Sequence, residues 1–306
     1  MTGTLREFEM TGWADTRRRV GNNKMIIAGL VILGSFAVLA FIHPVLRATV
    51  WSDRPDIYRP VTGHDRSIRH PSGPTLAHPL GTDPLGRDVL SLMTYGLRPS
   101  FIVAVAAAAS AGAVGLVAGT SSAFFRGRYD RAMTHLSDGF MLLPPPLVFL
   151  IASKRGLMGP LELGLLYGLL FGLGPAAIVV RSRALAIMEK PFIDAARSAG
   201  GGPRWIIGHH VVPHVIPHLA VVVLAGVVGA LVTQGFVEYL GIGQYRYGLG
   251  NLVYNAFAYR FALGTGVPWS TLLAGSLSIS LLASSFYMIS SGLRAAADPR
   301  QSARRT

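Results

Sequence analysis

The chain has 306 residues, 51% of them hydrophobic and 14% charged, with mean hydropathy +0.44 and no cysteine. Apolar residues gathered into long blocks exclude a soluble globular domain and read as a multi-span membrane protein, while the missing cysteines exclude disulfides, thiolate metal sites and thiol redox chemistry. The net charge of +13 would mark a nucleic-acid binder in a soluble domain, but here topology accounts for it, so no nucleic-acid partner is expected.

Residues 1–24 read as a cytoplasmic segment. Within it, 3–20 can lie as an amphipathic interfacial helix with Leu5, Phe8 and Trp13 toward lipid, and Arg17, Arg18 and Arg19 serve as an orientation signal and lipid contact. A hydrocarbon core about 30 Å thick needs roughly 20 apolar residues per helix. Six windows come close to that length: 25–42, 101–124, 134–152, 161–180, 215–236 and 271–289. The first follows acidic residues and an arginine cluster, so it reads as a retained anchor rather than a cleaved signal. The expected organisation is a first span at 25–42, an extracytoplasmic loop at 43–96, a core of five helices at 97–291 and a cytoplasmic tail at 292–306.

In the outer loop, Gly81, Asp83, Gly86, Arg87 and Asp88 read either as a turn with a local ion pair or as an outer surface or gate. Ala107, Ala111, Gly115 and Gly119 recur at every fourth position of the second window, the spacing of a helix-packing seam. The third window contains Pro144, Pro145 and Pro146 in "LPPPLVF" and must kink or break there.

Between the fourth and fifth windows lies "FIDAARSAGGGPRWIIGHHVVPHVIPH", residues 192–218, a polar interruption of an apolar chain. Pro191 can start a short helix with Asp194 in its first turn, where negative charge complements the dipole. Ala195, Ala196 and Ala199 keep its surface low for close approach by another protein. Gly200, Gly201 and Gly202 end it, and Pro203 can begin a second helix bearing Trp205, Ile206 and Ile207. His210, His214 and His218 have zinc- or nickel-ligand spacing, but Pro213 and Pro217 interrupt their face and no cysteine or carboxylate is near, so no metal site is expected. Tyr245, Arg246, Tyr247, Tyr254 and Tyr259 read as interfacial residues, or as the lining of a cargo path.

With the amino terminus inside, the inner segments hold 17 Lys plus Arg and the outer segments 11, of which seven lie in the long outer loop. Long loops follow the positive-inside rule weakly, and without this one the balance is 17 to 4. Both termini, and the polar interruption, are therefore expected in the cytoplasm. The second, fifth and sixth windows contain no Asp, Glu, Lys or Arg, which argues against a gradient-driven carrier with a buried proton relay. A phosphate-binding Gly-Lys-Ser/Thr is absent: Lys24, Lys154 and Lys190 follow Asn23, Ser153 and Glu189. ATP, if used, must be bound by another chain.

"DAARSAG" at 194–200 followed by "RWIIGHHVVPH" at 204–214 resembles the EAA loop of binding-protein-dependent ABC importer permeases, and in detail the dipeptide and oligopeptide permeases of the DppC/OppC type. "HPLGTDPLGRDVLSLMTYGLRPSF" at 78–101, "YLGIG" at 239–243 and "GLRAAADPR" at 292–300 are similar to segments of the same family in the same order. Asp194 replaces the family's usual glutamate, Trp205 an arginine, His214 an asparagine and Ala295 an aspartate, while Gln234 stands where a glutamate is common and Glu238 lies nearby. The resemblance implies an all-α, six-span, type I (MetI-like) permease of the bacterial inner membrane, with a cytoplasmic coupling helix in the loop at 191–214. It implies partners: a DppB/OppB-like second permease, two ATPases that hold ATP and Mg, an extracytoplasmic binding protein, and lipid. The chain itself would hold no catalytic residue and no cofactor. Asp194, Ala195, Ala196, Arg197, Gly200, Arg204, Ile206, Ile207, His210 and Pro213 would couple it to the ATPases. Nickel and glutathione importers share the family; a gradient-driven carrier and a non-transporting scaffold are the rivals from other classes.

Overall fold

A computed structural model describes residues 21–153, 159–241, 248–263 and 268–297. The expected interfacial helix at 3–20, the arginine cluster, Tyr245, Arg246, Tyr247, the side chain of Tyr259 and the tail beyond 297 lie outside the described residues.

All regular elements among the described residues are helices: α1 Lys24–Ala48, α2 Val89–Phe125, α3 Gly127–Leu142, α4 Pro145–Ser153, α5 Pro160–Phe171, α6 Ala177–Met188, α7 Pro191–Ser198, α8 Pro203–Ile206, α9 Val212–Tyr239, α10 Leu249–Leu263 and α11 Trp269–Ala297. Two π-helical turns, Gly172–Ala176 and Ile207–Val211, join α5 to α6 and α8 to α9. Five continuous stretches are long and apolar enough to cross a bilayer, and there are six if α3 and α4, bent by 78°, count as one broken span. That bend falls at the proline run, where three successive rings interrupt the backbone hydrogen bonds of any continuous helix.

Several helices outrun their apolar windows, because their ends are set by caps rather than by where hydrophobicity stops. Asn23 opens α1 by accepting from the Met25 and Ile26 N–H groups, and Asp88 opens α2 by accepting from that of Ser91. The longer spans bring in charges: Arg98 falls inside α2, donating from Nε to the Ala40 carbonyl of α1, and Glu238 falls inside α9. One helix has no counterpart among either the windows or the expected short helices of the polar interruption. α10 is 15 residues long, too short to cross, and begins where Gly250 N–H reaches the Glu238 carboxylate at 2.9 Å.

The helices meet over three buried apolar clusters. One joins α2, α6 and α9 at the end of the bundle nearest residues 191–206, around Val180, Ala184, Val211 and Val215. A second joins α1, α2, α9, α10 and α11 around Phe36, Leu97, Leu231 and Leu282. A third surrounds Phe149 and Tyr167. Outside them runs a belt of exposed apolar side chains, among them Leu30, Val31, Phe41, Val105, Val117, Ile151, Leu273 and Leu277, which is a surface for lipid and for other membrane helices. α1 and α11 run antiparallel with Gly29 against Ile289, and Asn23 Nδ2 donates to the Gly292 carbonyl at 3.2 Å, so the start of α1 and the end of α11 share one side.

Candidate functional site

The polar interruption folds into a compact knuckle. Lys190 is extended, Pro191 occupies the first helical position of α7, Asp194 lies in its first turn and Arg197 in its last, each charge complementing the dipole. Asp194 and Arg197 also pair at 3.2 Å, though both are well exposed and the pair contributes little. The chain reverses in two steps: Gly200 N–H donates to the Arg197 carbonyl and Gly201 N–H to that of Ala196, both at 3.0 Å. Gly200 holds φ +87°, so this Schellman turn requires a residue without a Cβ penalty at that position. A Cβ on Gly201 would stand 2.7 Å from the Ala196 carbonyl and press on the Trp205 ring, so the second glycine is required by close approach. Pro203 then starts α8, with Gly202 as its extended cap.

The faces of this knuckle sort the expected coupling residues into two sets. Asp194, Ala195, Arg197, Gly200, Arg204 and Pro213 are exposed, while Ile207 and His210 are half-buried. Ala196 and Ile206 are buried in the first core cluster beside Ile193. On α7, positions 193 and 196 share one face by their i, i+3 spacing and anchor it to the membrane helices, so Ala196 lies on the side of the knuckle that faces the core. The exposed face instead carries two aromatics that sequence reasoning did not single out as surface. Trp205, 47% exposed, stacks on His209 at 5.2 Å and meets His210 edge-on at 4.9 Å; Phe192, 42% exposed, lies 5.9 Å from His210 and 6.0 Å from His214. The signal available was the apolar Phe192 one position off the buried Ile193 stripe. His214 Nδ1 lies 2.7 Å from the His210 carbonyl, so it is bound as a donor within its own helix.

Behind the knuckle, the fourth span packs closely on α2. A Cβ on Gly164 would stand 2.6 Å from that of Ala106, one on Gly168 2.6 Å from the Ala107 carbonyl, one on Gly115 2.7 Å from the Ala176 Cβ, and one on Gly119 2.7 Å from the Ala177 carbonyl. The structure thus places Ala107, Ala111, Gly115 and Gly119 where α2 meets α5, the π turn and α6 at backbone contact. Gly174 in the π turn is non-helical, at φ −88° and ψ −107°, which kinks the span immediately before α6.

On the opposite side, residues 49–88 form an ordered subdomain. Trp51 stacks on Tyr58 at 4.4 Å, and His78 bridges two carboxylates, with Nδ1 2.8 Å from Asp88 and Nε2 3.2 Å from Asp65. Asp83 accepts from Arg87 Nε and Nη2 at 2.8 and 2.6 Å. Burial pushes the Asp65 carboxyl up, but the hydroxyl and N–H of Ser67, with His78, outweigh it and hold the group down at about 2. Burial dominates at Asp88 and pushes its carboxyl above the usual carboxylate range, against the pull of His78 and the Ser91 N–H. Asp83, Arg87 and Asp88 are all buried, and Gly81 and Gly86 supply positive-φ turns. These contacts build the turn with a local ion pair and tie it to the start of α2.

A multi-span helical membrane protein with a folded loop at one end of the bundle, a close-packed central seam and a projecting knuckle at the other end fits a transport permease. The chain belongs to the family of binding-protein-dependent transport system inner membrane components, which it matches over residues 111–303. It is 26% identical over 291 residues to the dipeptide transport system permease protein DppC of Alkalihalophilus pseudofirmus, covering 94% of this chain and 90% of that one. It is 29% identical over 307 residues to the oligopeptide transport system permease protein OppC of Haemophilus influenzae (97% and 92% covered) and 28% identical over 298 residues to OppC of Mycobacterium bovis (95% and 97%). It is therefore a multi-pass inner-membrane permease subunit of an ABC importer, with the fold that the sequence motifs implied.

Proposed function

We propose that this chain is one half of the translocation pathway of an ATP-driven importer of dipeptides or oligopeptides. It performs no covalent chemistry. Two cytoplasmic ATPases hold ATP and Mg and engage the knuckle, a second permease completes the pathway, and an extracytoplasmic binding protein delivers cargo to the outer loop side. Both termini lie in the cytoplasm. The observation that carries the reading is the knuckle itself: a rigid, Schellman-turned helix pair whose buried side is fixed to the core and whose exposed side is small at Ala195 and aromatic at Phe192 and Trp205. The peptide cargo is supported by the printed function of the relatives, which align over nearly their whole length.

Ala195 is the position to test, since it is exposed, whereas a change at Gly200 would strain the left-handed turn and confuse docking with folding. Ala195→Arg should insert normally and retain the second permease, yet lose the ATPases on purification and lower ATP-dependent peptide uptake at least about tenfold, as a bulky charge does at a close-packed contact. Wild-type uptake and full ATPase retention in that variant would refute the docking role.

A further inference from the structure

The bent span α3–α4 lacks the close packing that holds the other spans. Of the 16 residues of α3 only Ser137 is buried. Its connection to α2 is the pair Arg126 and Gly127, at φ 50° and 61°, a two-residue reversal rather than a continuous helix, and the Gly127 Cβ position faces open space. Between α2, α3 and α6 lies a cavity of about 100 Å³, lined in part by Ser122, Thr134, Ser137 and Asp138. Beyond a Ser121–Tyr129 hydrogen bond at 3.1 Å, the Phe125–Tyr129 edge contact and the approach of Met141 to Gly174, few side chains hold α3 against its neighbours. A charged contact adds to them: Asp130 of α3 accepts from Arg181 of α6 through Nε at 2.5 Å and Nη2 at 2.6 Å, and from the Ser122 hydroxyl of α2 at 2.5 Å. Among the described residues it is the one ion pair that joins two membrane-domain helices. A two-pronged guanidinium–carboxylate contact fixes orientation as well as distance.

Arg181 stands between two mechanical features. Upstream is the kinked π turn; downstream α6 runs through one short turn into the knuckle helix α7. Gly119 brings α6, and Gly115 the π turn, into close contact with α2. Movement imposed on the knuckle is thus carried by α6 as a rod, and Asp130–Arg181 is the point where the rod meets the loosely held span.

We propose that the Asp130–Arg181 pair, seated on Ser122, is a strut that makes α3 and the bent span follow the knuckle, so that its loss uncouples ATP hydrolysis from cargo movement. Both are positioning residues and touch neither ATP nor cargo. The proposal rests on the reading of the chain as an ATP-coupled permease.

The test uses the complete complex, with its second permease, ATPases and binding protein, in proteoliposomes supplied with a peptide accepted by that binding protein. Asp130→Asn should keep binding-protein-stimulated hydrolysis while uptake per ATP falls on the order of tenfold, within the range of a coupling free energy between sites. Arg181→Lys, which keeps the charge but loses the fork, should fall between. Because the chain has no cysteine, His135→Cys and Ala186→Cys, exposed on α3 and α6, can carry spin labels. Their separation should stay constant between nucleotide-free and ATP-bound states with the pair intact and shift or broaden in Asp130→Asn. Should Asp130→Asn fail to assemble, Arg181→Lys and the label distance decide. Unchanged uptake per ATP in the variants, or a label distance that changes with ATP while the pair is intact, would overturn the strut. Wild-type complex that shows no ATP-dependent uptake would instead overturn the functional reading beneath it.

Discussion

Asp65 and Asp88 hold the same histidine from two sides and are driven in opposite directions by their surroundings. Asp65 has a carboxyl held at about 2, below its unfolded value near 4, so it contributes stability that is complete above pH ~4 and is lost as pH falls toward 2. Asp88 is displaced upward, so its ionised form opposes folding and its contribution improves as pH falls through that raised value. The stabilising member is the one to remove. Asp65→Asn should lower hydrogen-exchange protection of the Thr82 and Asp83 amides, which bond within the loop to the Ser72 and Arg87 carbonyls, by between about ten- and a hundredfold at pH 7, the order of a shift of about two units. Compared with wild type at each pH, the gap should close between about pH 4 and pH 2. An unchanged gap across that window would mean that the charge of Asp65 does not brace the loop. Sequence reading placed Asp83, Arg87 and Asp88 in one motif but could not pair Asp88 with His78 and Asp65, because only the fold brings these three together.

At the scale of elements, the seam of α2 with the fourth span is built from glycine on one side meeting backbone on the other. Gly168→Leu places carbon against the Ala107 carbonyl and the Ala111 N–H, neither of which is a side chain that can swing away. The change should destabilise the detergent-solubilised protein by about 1–3 kcal/mol or more, seen as a lower thermal midpoint. Gly34→Leu in α1, where a Cβ meets nothing within 4 Å, should leave the midpoint unchanged or raise it. Equal midpoints for the two variants would mean that the seam tolerates insertion. Elements were legible in proportion to how much of their cause is local. Long apolar runs and a proline triplet announce spans and a break wherever they sit. α10 was not legible: its 15 residues are too short and too mixed, and its start depends on a carboxylate from α9. The strut was equally hidden, since Asp130 and Arg181 are 51 positions apart and neither is unusual beside its neighbours. That Ala196 and Ile206 face the core was not legible either, because residue type alone does not say which side of a short helix is buried.

The whole molecule is polarised, and the polarity decides which partner can reach which part. Chain direction alternates through α1, α2, the bent α3–α4, α5–α6, α9 and α11, so the loop at 49–88 and the knuckle at 191–206 lie at opposite ends of the bundle. The Asn23–Gly292 contact puts the start of α1 and the end of α11 on one side, and the core cluster beneath the knuckle is continuous with the adjoining ends of α2, α6 and α9. The proposal that the knuckle lies inside draws on the Lys and Arg imbalance, 17 to 4 outside the long loop. A chain without cysteine makes the assignment directly measurable. Leu76, fully exposed at the tip of the outer loop, and Ser198, exposed at the end of α7, can each be replaced by cysteine without disturbing a buried contact. In intact spheroplasts a membrane-impermeant maleimide should label Leu76→Cys to near completion and leave Ser198→Cys unreacted until the membrane is opened. The reverse pattern would turn the bundle over, put the knuckle out of reach of any cytosolic ATPase, and remove the basis for both the docking surface and the strut.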